Sequence, residues 1–226
     1  MISSTFFFLI SQLSVGMLLT LLFVSPRVIG NSFFKFTSKT AAILMGVALG
    51  FNYLFPSMVR NGSLPILFLA VSAVLVVVYN RTLQIEKYGP AFLLLVASTV
   101  AGLVSITTDS LSFTRLIDLE GWESWILLVN HLAATALLGS GMLAMVFGHW
   151  YLVVPKLSIA PLRLLTRVYL VAVVFRFLAI LVSLVALQVV REEVTLMNVA
   201  SELLVTQGLF FWPRIFFGIV IPLVLG

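Results

Sequence analysis

The stretch "WILLVNHLAATALLGSGMLAMVFGHWYLV", Trp125–Val153, contains no Asp, Glu, Lys or Arg. A surface helix of that length needs a charged face, whereas about 20 apolar residues cross the hydrocarbon of a bilayer. The stretch therefore reads as a membrane span, with enough surplus length to tilt or to emerge into the headgroup region. The rest of the chain agrees. Of 226 residues 62% are hydrophobic and 9% charged, with a mean hydropathy of +1.20, a balance outside the range of soluble domains.

Six other segments have comparable character, giving seven in all: 4–24, 40–59, 64–79, 90–106, 125–153, 168–190 and 205–225. The expectation is one all-α domain, 1–226, a polytopic transmembrane helix bundle of about seven spans. Basic residues of the first, third and fifth connections (Arg27, Lys35, Lys39, Arg81, Lys87, Lys156, Arg163, Arg167) face only Glu86. The second, fourth and sixth connections hold Arg60, Arg115 and Arg191 with seven acids: Asp109, Asp118, Glu120, Glu123, Glu192, Glu193 and Glu202. Since basic loops stay cytoplasmic, this places the N-terminus outside and the C-terminus inside a bacterial inner membrane. The first segment has no basic residue before it, unlike a signal peptide, and is expected to be an uncleaved helix. The 107–124 connection is expected to be an outer loop carrying a short surface helix. The chain ends on "IPLVLG" without a basic or aromatic anchor, an ending that leaves room for the natural chain to continue past Gly226.

Several chemistries are excluded. Despite a pI near 9.9, the basic residues flank apolar segments rather than forming a patch, so nucleic acid is not an expected partner. With no cysteine and two histidines, no closed zinc site or disulfide framework can be built. Phosphate-loop, dinucleotide and nucleophile-elbow motifs are absent, and no catalytic apparatus of the chain's own is expected. The seventh segment lacks the lysine of a retinal Schiff base, and no internal repeat of the transporter kind is visible.

Candidate site residues lie on two elements. His131 and His149 are eighteen residues apart, five helical turns, so they share a face about 27 Å apart along the axis. Thr135, Leu138, Met142 and Met145 continue that face. Beside it runs a small-residue stripe of Ala134, Gly141, Ala144 and Gly148, with Gly139 and Ser140 nearby. Small residues admit either a second backbone or a flat cofactor. A haem b would take an axial imidazole from His131 or His149, with Met142 as a further candidate ligand. Bis-histidine ligation of two haems takes four imidazoles, and the chain has two. A quinone would instead use His149 and Tyr151 as polar partners in an apolar slot. The competing reading makes His149, Trp150 and Tyr151 an interfacial aromatic belt.

The stretch "NHLAATALLGSGML", 130–143, in which a histidine opens a helix with glycines two turns on, resembles helices of the copper-resistance-D and cytochrome b561-type membrane families. The families' other histidines have no counterpart here, and the resemblance brings no ligand assignment.

Arg176 in "VVFRFLAIL" and Arg214 in "FFWPRIFFG" fall near mid-membrane. An uncompensated arginine there costs about 2.5–3.5 kcal/mol or more, and no acid lies at matching depth. The missing partner is an anionic ligand, a cofactor, another subunit, or protein carbonyls and amides.

These features lead to an accessory membrane subunit of a bacterial respiratory or other electron-transfer complex, embedded in the bilayer with other membrane or redox subunits as partners. It would anchor that complex and contribute a quinone or haem pocket. Two alternatives stand beside it: a small anion transporter or channel using the arginines, and a purely structural assembly subunit.

Overall fold

The computed structural model describes residues 2–54, 63–85, 87–116, 121–154 and 158–190, and the regular structure in them is helical throughout. The helices are α1 (Ile2–Leu21), α2 (Pro26–Ile29), α3 (Asn31–Leu54), α4 (Ser63–Gln84), α5 (Tyr88–Leu116), α6 (Trp122–Val153) and α7 (Ala160–Val190). Four are long and apolar enough to cross a membrane: α4, α5 over Tyr88–Ser112, α6, and α7 over Ala160–Ala186. α1 adds a shorter apolar stretch, Phe6–Leu21. Four of the seven expected segments, 64–79, 90–106, 125–153 and 168–190, fall within one helix each; 4–24 runs past the end of α1 at Leu21, and 40–59 starts within α3 and runs on beyond the described residues. The seventh, 205–225, lies outside the described residues.

Helices α3 to α7 begin before the apolar segments expected for them. α3 starts at Asn31 because Phe33, Phe34, Thr37 and Ser38 turn one face inward while Lys39 stays exposed. α7 starts at Ala160, whose N–H bonds to Ser158 Oγ at 3.3 Å. The largest correction concerns the expected outer loop at 107–124. There α5 continues as one helix through Leu116, and Asp109, expected in a loop, is buried on it. The hydroxyls of Thr107, Thr108 and Ser112 each donate to the carbonyl four residues back, at 2.8–2.9 Å. Polar residues thus sit on a continuous helix without exposing their own hydrogen-bonding groups.

The turn from α1 into α3 is tight. Ser25 caps α2 by accepting from the Arg27 N–H at 3.4 Å, and Pro26 supplies the preset first-turn geometry. Gly30 then adopts φ +96°, a region that glycine alone enters cheaply.

α1 lies at the centre, packed against α3, α5 and α6, while α4 closes the α3–α5 side and α7 lies outboard on α6. Helices in lipid gain little from apolar burial and associate by close packing and hydrogen bonds; both are visible here. Gly16 and Gly139 bring α1 and α6 into backbone contact, so that a Cβ on Gly139 would collide with the Gly16 backbone. Between α4 and α5, Ser72 Oγ donates to Ser98 O at 2.9 Å, Ser98 Oγ donates to Ser72 O at 3.0 Å, and Ser105 Oγ donates to Pro65 O at 2.6 Å. Asn80 Nδ2 ties α4 to Ser38 Oγ on α3 at 2.7 Å.

These pairings set helix direction. α1 and α6 run parallel, while α3–α4, α4–α5 and α6–α7 are antiparallel pairs. The α1–α2, α4–α5 and α6–α7 connections therefore share one end of the bundle. Arg27, Lys35, Lys39, Arg81, Lys87, Arg163 and Arg167 all belong to that end, called here the basic end.

Candidate functional site

Arg176 lies well inside α7, and the structure supplies its partner. Its Nη1 donates to the Asn130 backbone carbonyl at 2.6 Å and to Asn130 Oδ1 at 2.9 Å. No ion pair compensates it among the described residues. Two oxygens of one asparagine take the place of the acid that none of the described helices provides at this depth. Asn130 in turn is held by its own amide, which donates to Ile126 O at 3.1 Å, to Ala179 O at 3.3 Å and to Ser183 Oγ. Arg176 and Ser183 are seven residues apart and so share a face of α7, with Asn130 bridging them from α6.

His131, the next residue, points to a different set of neighbours. Its Nδ1 is 2.8 Å from Ser110 Oγ on α5, and the Phe8 ring of α1 meets the imidazole edge-on at a centroid distance of 4.5 Å. Gln12 Nε2 donates to the His131 carbonyl at 3.1 Å. Three helices therefore fix this side chain. With Nδ1 engaged by Ser110, Nε2 has no hydrogen-bond partner among the described residues.

Both groups line one cleft of about 380 Å³ between α6 and α7, toward the end opposite the basic one. Its walls are mainly apolar, with Trp122, Ile126, Leu127, Ile180 and Leu184, and its polar groups are Asn130, His131, Arg176, Ser183 and Glu123. An apolar slot with a few convergent donors is the usual form of a small-molecule site. Arg176 and His131 can donate to an oxygen there, while the asparagine and serine hold the guanidinium in place.

The remaining expected residues lie elsewhere. Met142 is partly buried near the middle of α6, with Met145 exposed. His149 is exposed at the basic end, and Tyr151 beside it is partly buried; neither reaches the cleft. Trp150 packs edge-on against Phe33 at 5.9 Å and lies 6.2 Å from Phe36, so of the "HWY" residues it is Trp150 that packs against α3. Arg214 lies outside the described residues. Part of the small-residue stripe is taken up by protein, while a Cβ on Gly148 would meet nothing within 4 Å. Gly139 meets α1, and a Cβ on Gly141 would come within 3.2 Å of the Tyr169 ring. With Phe8 against the imidazole and Ser110 at its Nδ1, and with α1 against Gly139, the surroundings of His131 do not fit a haem.

Asn130, Ser183 and Ser110 are the site residues that the sequence does not single out. Asn130 was visible as the neighbour of His131, and Ser183 as the polar residue two turns beyond Arg176. Ser110 carried no signal, because only tertiary packing brings α5 to His131. No protein-family model, curated protein or solved structure matches this chain.

Proposed function

We propose that this chain is an integral membrane subunit of a bacterial electron-transfer complex, and that its α6–α7 cleft binds the head of a lipid-soluble quinone. The observation that carries this reading is the convergence of Arg176 and His131 on one apolar-walled cleft within a membrane-type bundle. A quinone head presents carbonyl oxygens on an otherwise apolar ring, and needs hydrogen-bond donors in an apolar slot. Arg176, oriented by Asn130, donates to one oxygen, and the free Nε2 edge of His131 meets another as donor or proton partner. Two-electron redox chemistry belongs to the quinone; the chain binds it, orients it and keeps bulk water from its polar edge. Redox partners would be other subunits of the complex. The basic end would face the cytoplasm, placing the N-terminus outside, the C-terminus inside, and the cleft toward the outer leaflet.

Trp122 lines the cleft, and quinones quench indole fluorescence on contact. Titrating the detergent-purified protein with a short-chain ubiquinone analogue should give saturable quenching that Trp122→Phe largely removes. Arg176→Gln and His131→Gln should each weaken binding about tenfold, the loss expected for one hydrogen bond to a charged or polarised group. Quenching that is non-saturable, or equal in all variants, would sink the reading. Chloride or phosphate flux through proteoliposomes that Arg176→Gln abolishes would replace it with anion passage.

A further inference from the structure

His131 borders the α6–α7 cleft, and one of its two ring nitrogens is already engaged. Nδ1 lies 2.8 Å from Ser110 Oγ, and the surroundings of Ser110 decide which nitrogen carries the proton. Ser110 is fully buried. On the same helix Thr107, Thr108 and Ser112 each donate to the carbonyl four residues back. Ser110 makes no such bond, and His131 is the partner of its hydroxyl among the described residues. A buried polar group left unpaired costs about 1–3 kcal/mol. A protonated Nδ1 would donate to Ser110 Oγ and leave the hydroxyl proton without an acceptor. The arrangement that satisfies both groups has Ser110 donating to a bare Nδ1, and a neutral imidazole of that kind carries its hydrogen on Nε2.

Nε2 is open to a ligand. It has no hydrogen-bond partner among the described residues, yet it does not belong to the fully buried unpaired atoms. The Phe8 ring, edge-on at 4.5 Å, and the Gln12 bond to the His131 carbonyl at 3.1 Å hold the residue from α1.

Both groups that meet a ligand in the cleft are then donors, since a guanidinium has no acceptor atom. The nearby acceptors are engaged: Asn130 Oδ1 takes Arg176 Nη1 at 2.9 Å, and Ser183 Oγ takes the Asn130 amide. The Glu123 carboxylate is eight residues before His131, about 12 Å along the α6 axis. A ligand spanning Arg176 and His131 is matched when its oxygens are acceptors without protons. Quinone carbonyls meet that condition. A quinol brings O–H groups into an apolar slot with no free acceptor beside them.

We propose, on the basis of the quinone reading of this cleft, that Ser110 is a positioning residue that fixes His131 as a donor through Nε2, and that the cleft thereby selects the oxidised quinone over the quinol.

Two measurements on the detergent-purified, untagged protein test this. Nitrogen NMR of histidine-labelled His149→Gln protein, which retains His131 alone, needs no ligand. In mildly alkaline buffer, where an imidazole is neutral, it should show a protonated Nε2 and a bare Nδ1, and Ser110→Ala should bring both tautomers into view. A bare Nε2 in the protein with Ser110 intact overturns the proposal. Calorimetric titration then compares a short-chain ubiquinone analogue with its quinol, the latter under anaerobic conditions with excess reductant. The quinone should bind about tenfold more tightly, the margin of one unpaired hydroxyl. Ser110→Ala should shrink that preference several-fold, and Ser110→Thr, which keeps the hydroxyl, should retain it. Equal affinity for the two forms, or a preference that Ser110→Ala leaves intact, overturns the proposal while the quinone site stands. Binding of neither form, by protein that melts normally, sinks the quinone reading and the selectivity with it.

Discussion

At the scale of single residues, the informative feature is how an arginine is kept inside an apolar bundle without an acid. Asn130 offers Arg176 two acceptors 2.6 and 2.9 Å away and spends its own amide on Ile126, Ala179 and Ser183. Removing that side chain leaves the cation with the backbone carbonyl alone. Asn130→Ala should therefore destabilise the protein by about 1.5–3 kcal/mol, the range for hydrogen bonds to charged groups. Thermal unfolding in detergent checks this. The double variant Asn130→Ala with Arg176→Leu should recover much of the loss, since no buried charge is then left unpaired. An additive double variant would show that the pair is uncoupled. The sequence made half of this legible. Arg176 stood out as a costly charge within an apolar segment, and its need for a partner followed. The partner did not, because asparagine beside histidine near the start of a span reads equally as a solvated cap, and helix neighbours are set by tertiary contacts.

At the scale of elements, α6 shows what hydropathy can and cannot say. Its existence and approximate extent followed from the uncharged run Trp125–Val153, and α6 covers Trp122–Val153. The glycines on it were ambiguous between a helix and a cofactor as neighbour; contact with Gly16 and Tyr169 decides for helices at Gly139 and Gly141. The ends of the helices were less legible. Thr107, Thr108 and Ser112 lower the local hydropathy and mimic a loop, yet their hydroxyls fold back onto α5 carbonyls. The close approach of α1 and α6 predicts a positional contrast. Gly139→Ala should cost about 1–3 kcal/mol by overpacking. Gly148→Ala, with nothing within 4 Å of the added carbon, should be neutral or should stabilise α6 by up to about 1 kcal/mol through helix propensity. Equal melting temperatures for the two variants would contradict the packing described.

At the scale of the whole molecule, charge and chemistry separate along the bundle axis. Most basic residues of the described helices gather at one end, with Arg176 inside α7 and Arg115 in the last turn of α5 as the exceptions, and the polar cleft lies toward the other end. The charge alternation in the connections was legible because it needs no tertiary information; the grouping of side chains into cavities was not, because it depends on which helices touch. The chain's lack of cysteine makes the proposed orientation simple to test. In intact cells, a membrane-impermeant maleimide should label Ser63→Cys, and should label Lys87→Cys only after the membrane is opened. The reverse pattern would invert the bundle and place the cleft toward the cytoplasm.

The most direct test of the quinone cleft is to irradiate the protein in lipid nanodiscs with a photoreactive quinone and sequence the labelled peptides. Label should fall on α6 near Trp122–His131 and on α7 near Arg176–Leu184, be displaced by unmodified quinone, and drop about tenfold in Arg176→Gln. Label spread over the lipid-facing residues of all helices, indifferent to competitor and to Arg176→Gln, would contradict the assignment.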